Sequence, residues 1–282
     1  MKIAIVGASG LVGKEFARQL ASAHDVSPFP HAEFDITDRE STARKIFELQ
    51  PDLIINCAVL GVDYCEREPE LARAVNSRGP ENLAKAAAAI NTPLVHLSSN
   101  YVFDGERKDG LYTVDDLPRP ISVYGRTKLD GEDAVRAATD RHFIVRTSWV
   151  FGPGKNNFFS TVQQSILAGN EIRVITDVAA SATYLCDLVE RSLEIVSRRK
   201  YGTYHVVNSG LCSYSEFVHE AARVLGLIAR IKPVLLRELQ LPASRPYYSP
   251  MGCKLSDVLG LARMRSWQAA LADFISTNRR EA

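Results

Sequence analysis

The chain is expected to be an α/β protein built on a doubly wound parallel sheet, and three features of its sequence predict this. An apolar, partly β-branched run, Ile3 to Val6, leads directly into glycines at 7, 10 and 13. Apolar runs and helix-favouring stretches then alternate as far as about residue 150. The pair Ser98-Ser99 closes one such run, on the carboxyl edge where open parallel sheets bind ligands.

The first strand covers Ile3 to Val6, and the GxxGxxG spacing after it implies a tight turn and then a helix. Gly7 would allow the turn, Gly10 the approach of a pyrophosphate, and Gly13 close packing of helix on strand, with the anion over the helix N-terminus. A bare structural turn would use the same glycines. The spacing also differs by one residue from the commoner GxGxxG. Three further elements favour the dinucleotide reading: a helix over 14 to 23, a strand over 25 to 29, and a third apolar run, Leu53-Ile54-Ile55, after Pro51-Asp52. This is the βαβαβ order of a dinucleotide-binding half-fold. Residues 81 to 90 predict a helix, Thr92 to Leu97 a strand, 101 to 121 a long loop, Ser122 to Ala138 a helix and 142 to 146 the next strand. Beyond Gly152-Pro153-Gly154 the alternation weakens, with helices expected near 156 to 168, 182 to 198, 213 to 225 and 266 to 276. The expected organisation is a nucleotide-binding domain over 1 to 150 and a smaller C-terminal α/β substrate-binding region over 151 to 282, interleaved with the first.

Composition bounds the function. The 282 residues are 46% hydrophobic, with 34 basic against 33 acidic side chains and a formal charge of +1. Such balance gives no electrostatic case for nucleic acid or a membrane surface as partner, and no apolar stretch approaches the about 18 residues of a membrane span. A signal peptide is disfavoured by the early Lys14-Glu15 and the embedded glycines. The five cysteines, at 57, 65, 186, 212 and 253, are scattered and lack CxxC spacing. They are expected to be reduced thiols of a cytoplasmic protein.

The chemistry centres on Tyr124 and Lys128, four residues apart on a predicted helix and therefore on one face. A surface pair has the same spacing. As a functional pair, however, they solve a defined problem: a phenol of pKa about 10 donates poorly near neutral pH unless the charge left on it is stabilised. A unit positive charge ~4 Å away in an effective dielectric of ~20 contributes about 4 kcal/mol, equivalent to about three pKa units. Ser99, at a strand end, is either a backbone cap or a hydrogen-bond donor to a carbonyl gaining negative charge.

The stretches SSNYVFDG (98 to 105), PISVYGRTKLDGE (120 to 132) and VRTSWVFG (145 to 152), with the glycine turn, resemble the extended short-chain dehydrogenase/reductase superfamily. More closely they resemble its dTDP-4-dehydrorhamnose reductase family, which also includes a regulatory subunit of methionine adenosyltransferase. DITD at 35 to 38, INCA at 55 to 58, EREPELARAVNSRGPENLA at 66 to 84, NNFF at 156 to 159, GTYH at 202 to 205 and ASRPYYS at 243 to 249 extend the likeness along nearly the whole chain. The resemblance implies a Rossmann-type fold and a Ser99, Tyr124, Lys128 catalytic set, with Tyr124 protonating the sugar C4 oxygen and Lys128 binding the nicotinamide ribose and lowering the tyrosine pKa. It assigns Gly7, Ser9, Gly10, Leu11, Val12, Gly13, Asp35, Ile36, Cys57, Ala58 and Val59 to the cofactor, together with Tyr124 and Lys128. It assigns Ser99, Asn100, Tyr124, Trp149, Asn157 and Arg245 to the substrate. Plainer roles exist for three of these: Asp35 near a helix cap, Trp149 in the core and Asn157 at a helix start. The implied reaction is reduction of dTDP-4-dehydro-6-deoxy-L-mannose to dTDP-L-rhamnose in a cytoplasmic homodimer. Reduction of another nucleotide-linked 4-keto-6-deoxy sugar, or a non-catalytic dinucleotide-binding regulatory role, stays open.

Two departures bear on substrate. Relatives usually have STD where this chain has Ser98-Ser99-Asn100, which removes a charge beside the pocket. They commonly read DQxGxPT where it has DVAASAT at 177 to 183, in a loop expected near the sugar nucleotide. The family implies NADPH; NADH stays open, since the second strand ends in Ser27-Pro28-Phe29-Pro30-His31 with neither an acid nor an arginine, although His31 can meet a phosphate. Some relatives use Mg2+ at a dimer interface; Glu15 and Glu190 are candidate parts of such a site or, more simply, ordinary helix-surface acids, and no cluster has metal-ligand spacing.

Overall fold

The structure, a computed structural model, describes residues 1–154, 157–252, 254 and 259–281, with side chains as far as 277. Cys253 and the first asparagine of NNFF, Asn156, lie outside the described residues.

The N-terminal half runs β1 (Lys2–Val6), α1 (Leu11–Leu20), β2 (Asp25–Phe29), α2 (Arg39–Leu49), β3 (Leu53–Asn56), α3 (Val62–Arg67), α4 (Pro69–Arg73), a π-helical turn (Ala74–Arg78), α5 (Gly79–Ala89), β4 (Leu94–Ser99), α6 (Val123–Ala138) and β5 (His142–Thr147). Asp38 caps α2 by accepting from the Ser41 amide, and Ser122 caps α6 by accepting from the Gly125 amide. The second half runs β6 (Val150–Phe151), α7 (Phe158–Leu167), β7 (Glu171–Ile175), β8 (Ala179–Ala180), β9 (Thr183–Tyr184), α8 (Leu185–Ser197), β10 (Gly202–His205), β11 (Cys212–Ser213), α9 (Tyr214–Leu225), β12 (Arg230–Val234), β13 (Tyr248–Ser249) and α10 (Trp267–Glu281).

Six strands form one parallel sheet in the order β10-β5-β4-β3-β1-β2. The period-2 alternation of a strand explains how its two faces are filled. Ile3 and Ile5 join one core with Phe16 and Leu20 of α1 and Leu188 and Val189 of α8. Ala4 and Val6 join another with Ile46 of α2, Leu83 and Ala87 of α5 and Val135 of α6. Helices thus cover both faces, as an all-parallel sheet requires. The chain leaves β1 to opposite sides for β2 and β3, so the switch point falls at the carboxyl ends of β1 and β3.

Gly7 occupies that point with φ +75°, and a Cβ there would lie 2.6 Å from the Ala58 amide nitrogen. Both the backbone angle and the contact require glycine. At Gly10 the nearest atom to such a Cβ is the Gly7 carbonyl oxygen, at 3.3 Å.

The second half contains more strand than its sequence predicts. A third core gathers Phe151, Phe159, Phe217, Trp267 and Phe274, under small sheets ordered β11-β8-β13, β12-β7 and β6-β9. The DVAASAT segment is not the loop expected: Ala179–Ala180 pairs with Cys212–Ser213 and Tyr248–Ser249, and Thr183–Tyr184 pairs with Val150–Phe151. Two-residue strands have no readable period, and it is the long-range pairing that fixes them. Among the described residues no helix is long and apolar enough to cross a membrane.

Gly7→Ala is expected to lower stability by about 2–4 kcal/mol, combining overpacking with the positive φ, while Gly10→Ala changes it by less than about 1 kcal/mol. Urea denaturation midpoints of the two variants check this.

Candidate active site

Helix α6 turns Tyr124, Lys128 and Glu132, at four-residue spacing, toward the sheet. Glu132 is fully buried and anchors the face. Its carboxylate accepts from Arg146 Nε at 2.9 Å and Nη2 at 2.7 Å, from Ser98 Oγ at 2.5 Å and from Arg136 Nη2 at 2.6 Å. Burial alone would raise the Glu132 pKa, but these donors, Arg146 foremost, hold it below the ordinary value. The same helix starts against the segment after β4: a Cβ on Gly125 would lie 2.1 Å from the Tyr101 carbonyl oxygen, so only glycine permits this seat.

That seat brings Tyr124 beside Ser99. Burial pushes the phenol up to about 12, the neighbouring serine hydroxyl offsetting part of the rise. Ser99 Oγ accepts from the Tyr101 amide at 3.3 Å and donates to Asn100 Oδ1 at 3.2 Å. Asn100 Nδ2 in turn donates to Ser249 Oγ at 2.7 Å. The carboxamide at the position of the usual aspartate is therefore oriented from both ends.

Lys128 differs from the expectation of a charge set against the phenol. Its Nζ donates to the Leu97 carbonyl oxygen at 2.6 Å and lies 3.4 Å from His96 Nε2. Burial pushes the ammonium down to about 8, with Glu132 opposing. Near neutral pH Tyr124 is accordingly a protonated phenol, the form a proton donor needs, and Lys128 lies close to its own titration point.

A cleft beside Asn100 is lined by Tyr101, Trp149, Val178, Tyr214 and Arg245. Trp149 adopts φ +40°, uncommon for a bulky residue. It packs on Phe159 and Tyr214 at centroid distances of 4.7 and 4.4 Å. Arg245 donates to Asp63 Oδ2 at 2.7 Å and to the Ala243 carbonyl at 2.6 Å, so α3 and the cleft loop share one ion pair. Asn157 caps α7: it accepts from the Ser160 amide at 2.8 Å and donates to the Val150 carbonyl at 2.9 Å. Both ends of its carboxamide are thereby engaged.

On the other side of Ser99 lies the glycine turn. Gly10 is the N-cap of α1 and supplies no side-chain bond to the first-turn amides, which leaves an anion site formed by backbone N–H groups and the helix dipole. Ser9 and Gly10 are exposed, Leu11 and Val12 half-buried and Gly13 buried. Cys57 and Ala58, half-buried, and Val59, exposed, leave β3 beside Gly7. These residues fit a dinucleotide. Asp35 is exposed, and its Oδ1 accepts from the Thr37 amide and hydroxyl at 2.9 and 2.8 Å. Ile36 is buried.

Of the two carboxylates considered for Mg2+, Glu15 is engaged by its own helix. Glu15 accepts from Arg18 Nε at 2.8 Å and Nη2 at 2.5 Å and from Gln19 Nε2 at 2.8 Å, so a guanidinium holds the oxygens a cation would need. Among the described residues no group of three His, Cys, Asp or Glu side chains could hold a metal.

Tyr101, Tyr214 and Ser249 of the cleft, and Asn56 and His96 beneath Lys128, are absent from the sequence-based assignment. His96 leaves a signal as a polar residue within the apolar run of β4, and Asn56, Tyr101 and Ser249 fall within quoted motifs without a role of their own.

Because Lys128 titrates lower in the folded than in the unfolded chain, the native protein releases this proton first, and stability gains as pH rises from about 8 to 10. Removing the amine in Lys128→Met is expected to abolish that gain, worth up to about 3 kcal/mol. Urea unfolding of both proteins at several pH values measures it.

The family model described as RmlD substrate binding domain matches residues 1–280. The chain is 39% identical over 280 residues to the dTDP-4-dehydrorhamnose reductase of Mycolicibacterium smegmatis, covering 98% of this chain and 85% of that one. A dTDP-4-dehydrorhamnose reductase crystal structure from Clostridium acetobutylicum superposes with a TM-score of 0.93 at 35% identity, covering 99% and 100% of the two chains. That of the Bacillus anthracis enzyme in complex with NADP gives 0.93 at 34% identity, covering 98% and 99%. With the family model spanning almost every residue and both crystal structures superposing along their full length, the chain belongs to the dTDP-4-dehydrorhamnose reductase family.

Proposed function

We propose that this chain reduces the C4 ketone of dTDP-4-dehydro-6-deoxy-L-mannose with NADPH, giving dTDP-L-rhamnose. The observation that carries the reading is the Tyr124 phenol set beside the Ser99 hydroxyl at the carboxyl edge of the sheet, with the uncapped start of α1 and the aromatic cleft at the same edge. Gly7, Ser9, Gly10, Leu11, Val12 and Gly13 would hold the dinucleotide with Cys57, Ala58 and Val59, and Asp35 and Ile36 would lie near its adenine. When bound, the reduced nicotinamide supplies a hydride to C4. The chain supplies the rest: Tyr124 gives its phenolic proton to the C4 oxygen, so ketone, hydride and proton together make the alcohol. Ser99 steadies that oxygen as negative charge builds on it. Lys128, one helical turn away with its Nζ on the Leu97 carbonyl, would bind the ribose. Arg245 keeps guanidinium N–H groups beyond its bonds to Asp63 and Ala243 for a diphosphate, and Trp149 offers an aromatic face. Asn157 acts by placing α7 at the cleft rim.

A related 4-keto sugar is the second reading. It is favoured by Val178, which lines the cleft where relatives commonly carry a polar residue. A purely regulatory role is disfavoured by the retained serine, tyrosine and lysine. We assign residues 1 to 150 mainly to the cofactor and 151 to 282 mainly to the substrate. The unpaired Cys57, Cys65, Cys186 and Cys212 support a cytoplasmic setting, and family habit supports a homodimer.

Tyr124→Phe is expected to lower kcat by about 10²- to 10⁴-fold while leaving NADPH affinity within about twofold. Loss of NADPH absorbance with the dTDP keto sugar, and titration of cofactor fluorescence, measure the two quantities. An unchanged rate would sink the assigned role.

A further inference from the structure

Three buried side chains form a line from the end of β3 to Lys128. Asn56 and His96 are fully buried and Lys128 is 1% exposed. The Ala58 amide donates to Asn56 Oδ1 at 3.1 Å. A backbone N–H can only donate, so this bond decides which way the Asn56 carboxamide faces. The Asn56 NH2 group is then the one that meets His96 Nδ1, at 3.1 Å. Nδ1 must accept, and the single ring proton of a neutral imidazole is left on Nε2. That proton points at Lys128 Nζ, 3.4 Å away.

We propose that His96 is a positioning residue for Lys128: Asn56 locks it in the Nε2–H tautomer, so that it presents a donor to the lysine nitrogen and favours the neutral amine over the ammonium. An ammonium has only donors, and a donor facing it is repulsive; an amine has a lone pair that accepts. The Leu97 carbonyl oxygen at 2.6 Å holds the nitrogen in place in either state. The other titratable groups that act on Lys128 are Glu132, one turn farther along α6, Cys57 at the end of β3 and Cys65 of α3. Lys128 and Arg136 are the charges that act on His96; with burial they keep the ring neutral. Because the line begins at the Ala58 amide, it ties backbone that would lie under the dinucleotide to the proton affinity of the lysine. The consequence for rate rests on the reductase reading; the tautomer and the titration do not.

The test has an arm in the native protein and an arm in a variant. Long-range ¹H–¹⁵N spectra of the ¹⁵N-histidine-labelled chain are expected to show His96 as the Nε2–H tautomer from about pH 6 to 9, and an Nδ1–H tautomer would overturn the proposal. In Asn56→Asp a carboxylate accepts from both the Ala58 amide and the ring. The proton should move to Nδ1, and Nε2 should accept from the ammonium. Lys128, followed by its ¹³Cε resonance, is then expected to titrate at least about one unit higher, a tenfold gain in proton affinity. The pH limb of kcat/KM set by this group should move by the same amount. A switched tautomer with an unmoved Lys128 titration would overturn the proposal. Native protein that shows the expected tautomer, and a variant that shows the shift, without turnover of any keto sugar would leave it standing and overturn the reductase reading.

Discussion

The geometry of the site depends on one buried ion pair, Glu132 with Arg146. Glu132 comes from α6 and Arg146 from β5, and Ser98 Oγ of β4 donates to the same carboxylate, so one group joins a helix to two neighbouring strands. Each charge is costly to bury alone and tolerable only with the other in place. The pair therefore fixes where α6 can lie along the sheet. Given that position, four-residue spacing carries Lys128 to the Leu97 carbonyl and Tyr124 to Ser99, the residue after the one Glu132 holds. Gly125 completes the fit by letting the start of the helix rest on the Tyr101 backbone.

Around this fixed helix the two binding surfaces arise from topology. Because β2 and β3 lie on opposite sides of β1, a crevice is left at the carboxyl ends of β1 and β3, and Gly7 lets the backbone there lie against Ala58. Across the sheet edge, the aromatic core of the second half presents Trp149 and Tyr214 to the cleft. The Asp63–Arg245 ion pair ties this loop to α3. The reacting groups thus stand where the two surfaces meet.

Much of this was legible in the sequence because the first half is repetitive in the physical sense. Its inner strands are buried on both faces and read as apolar runs, and its glycine turn and its Tyr124–Lys128 spacing are local patterns. The second half was harder. Strands of two residues such as Ala179–Ala180 carry no period, and their pairing with Ser213 and Tyr248 is a long-range event. Side-chain placement was harder still. Spacing puts Lys128 on the face of Tyr124, but not the ammonium on the Leu97 carbonyl. The side chains of Asn157 and Asp35 both bond their own neighbourhoods, which spacing does not reveal. His96 showed only as a polar residue in an apolar strand, and its pairing with Asn56 emerged once the two strands were set side by side.

The most direct test of the proposed chemistry tracks the hydride itself. Native protein is incubated with NADPH deuterated at the transferable C4 position and with dTDP-4-dehydro-6-deoxy-L-mannose, and the product is examined by NMR. Deuterium at C4 of a sugar with the L-rhamno configuration is the expected result. A product without deuterium at C4, or no product while the cofactor binds, would contradict it.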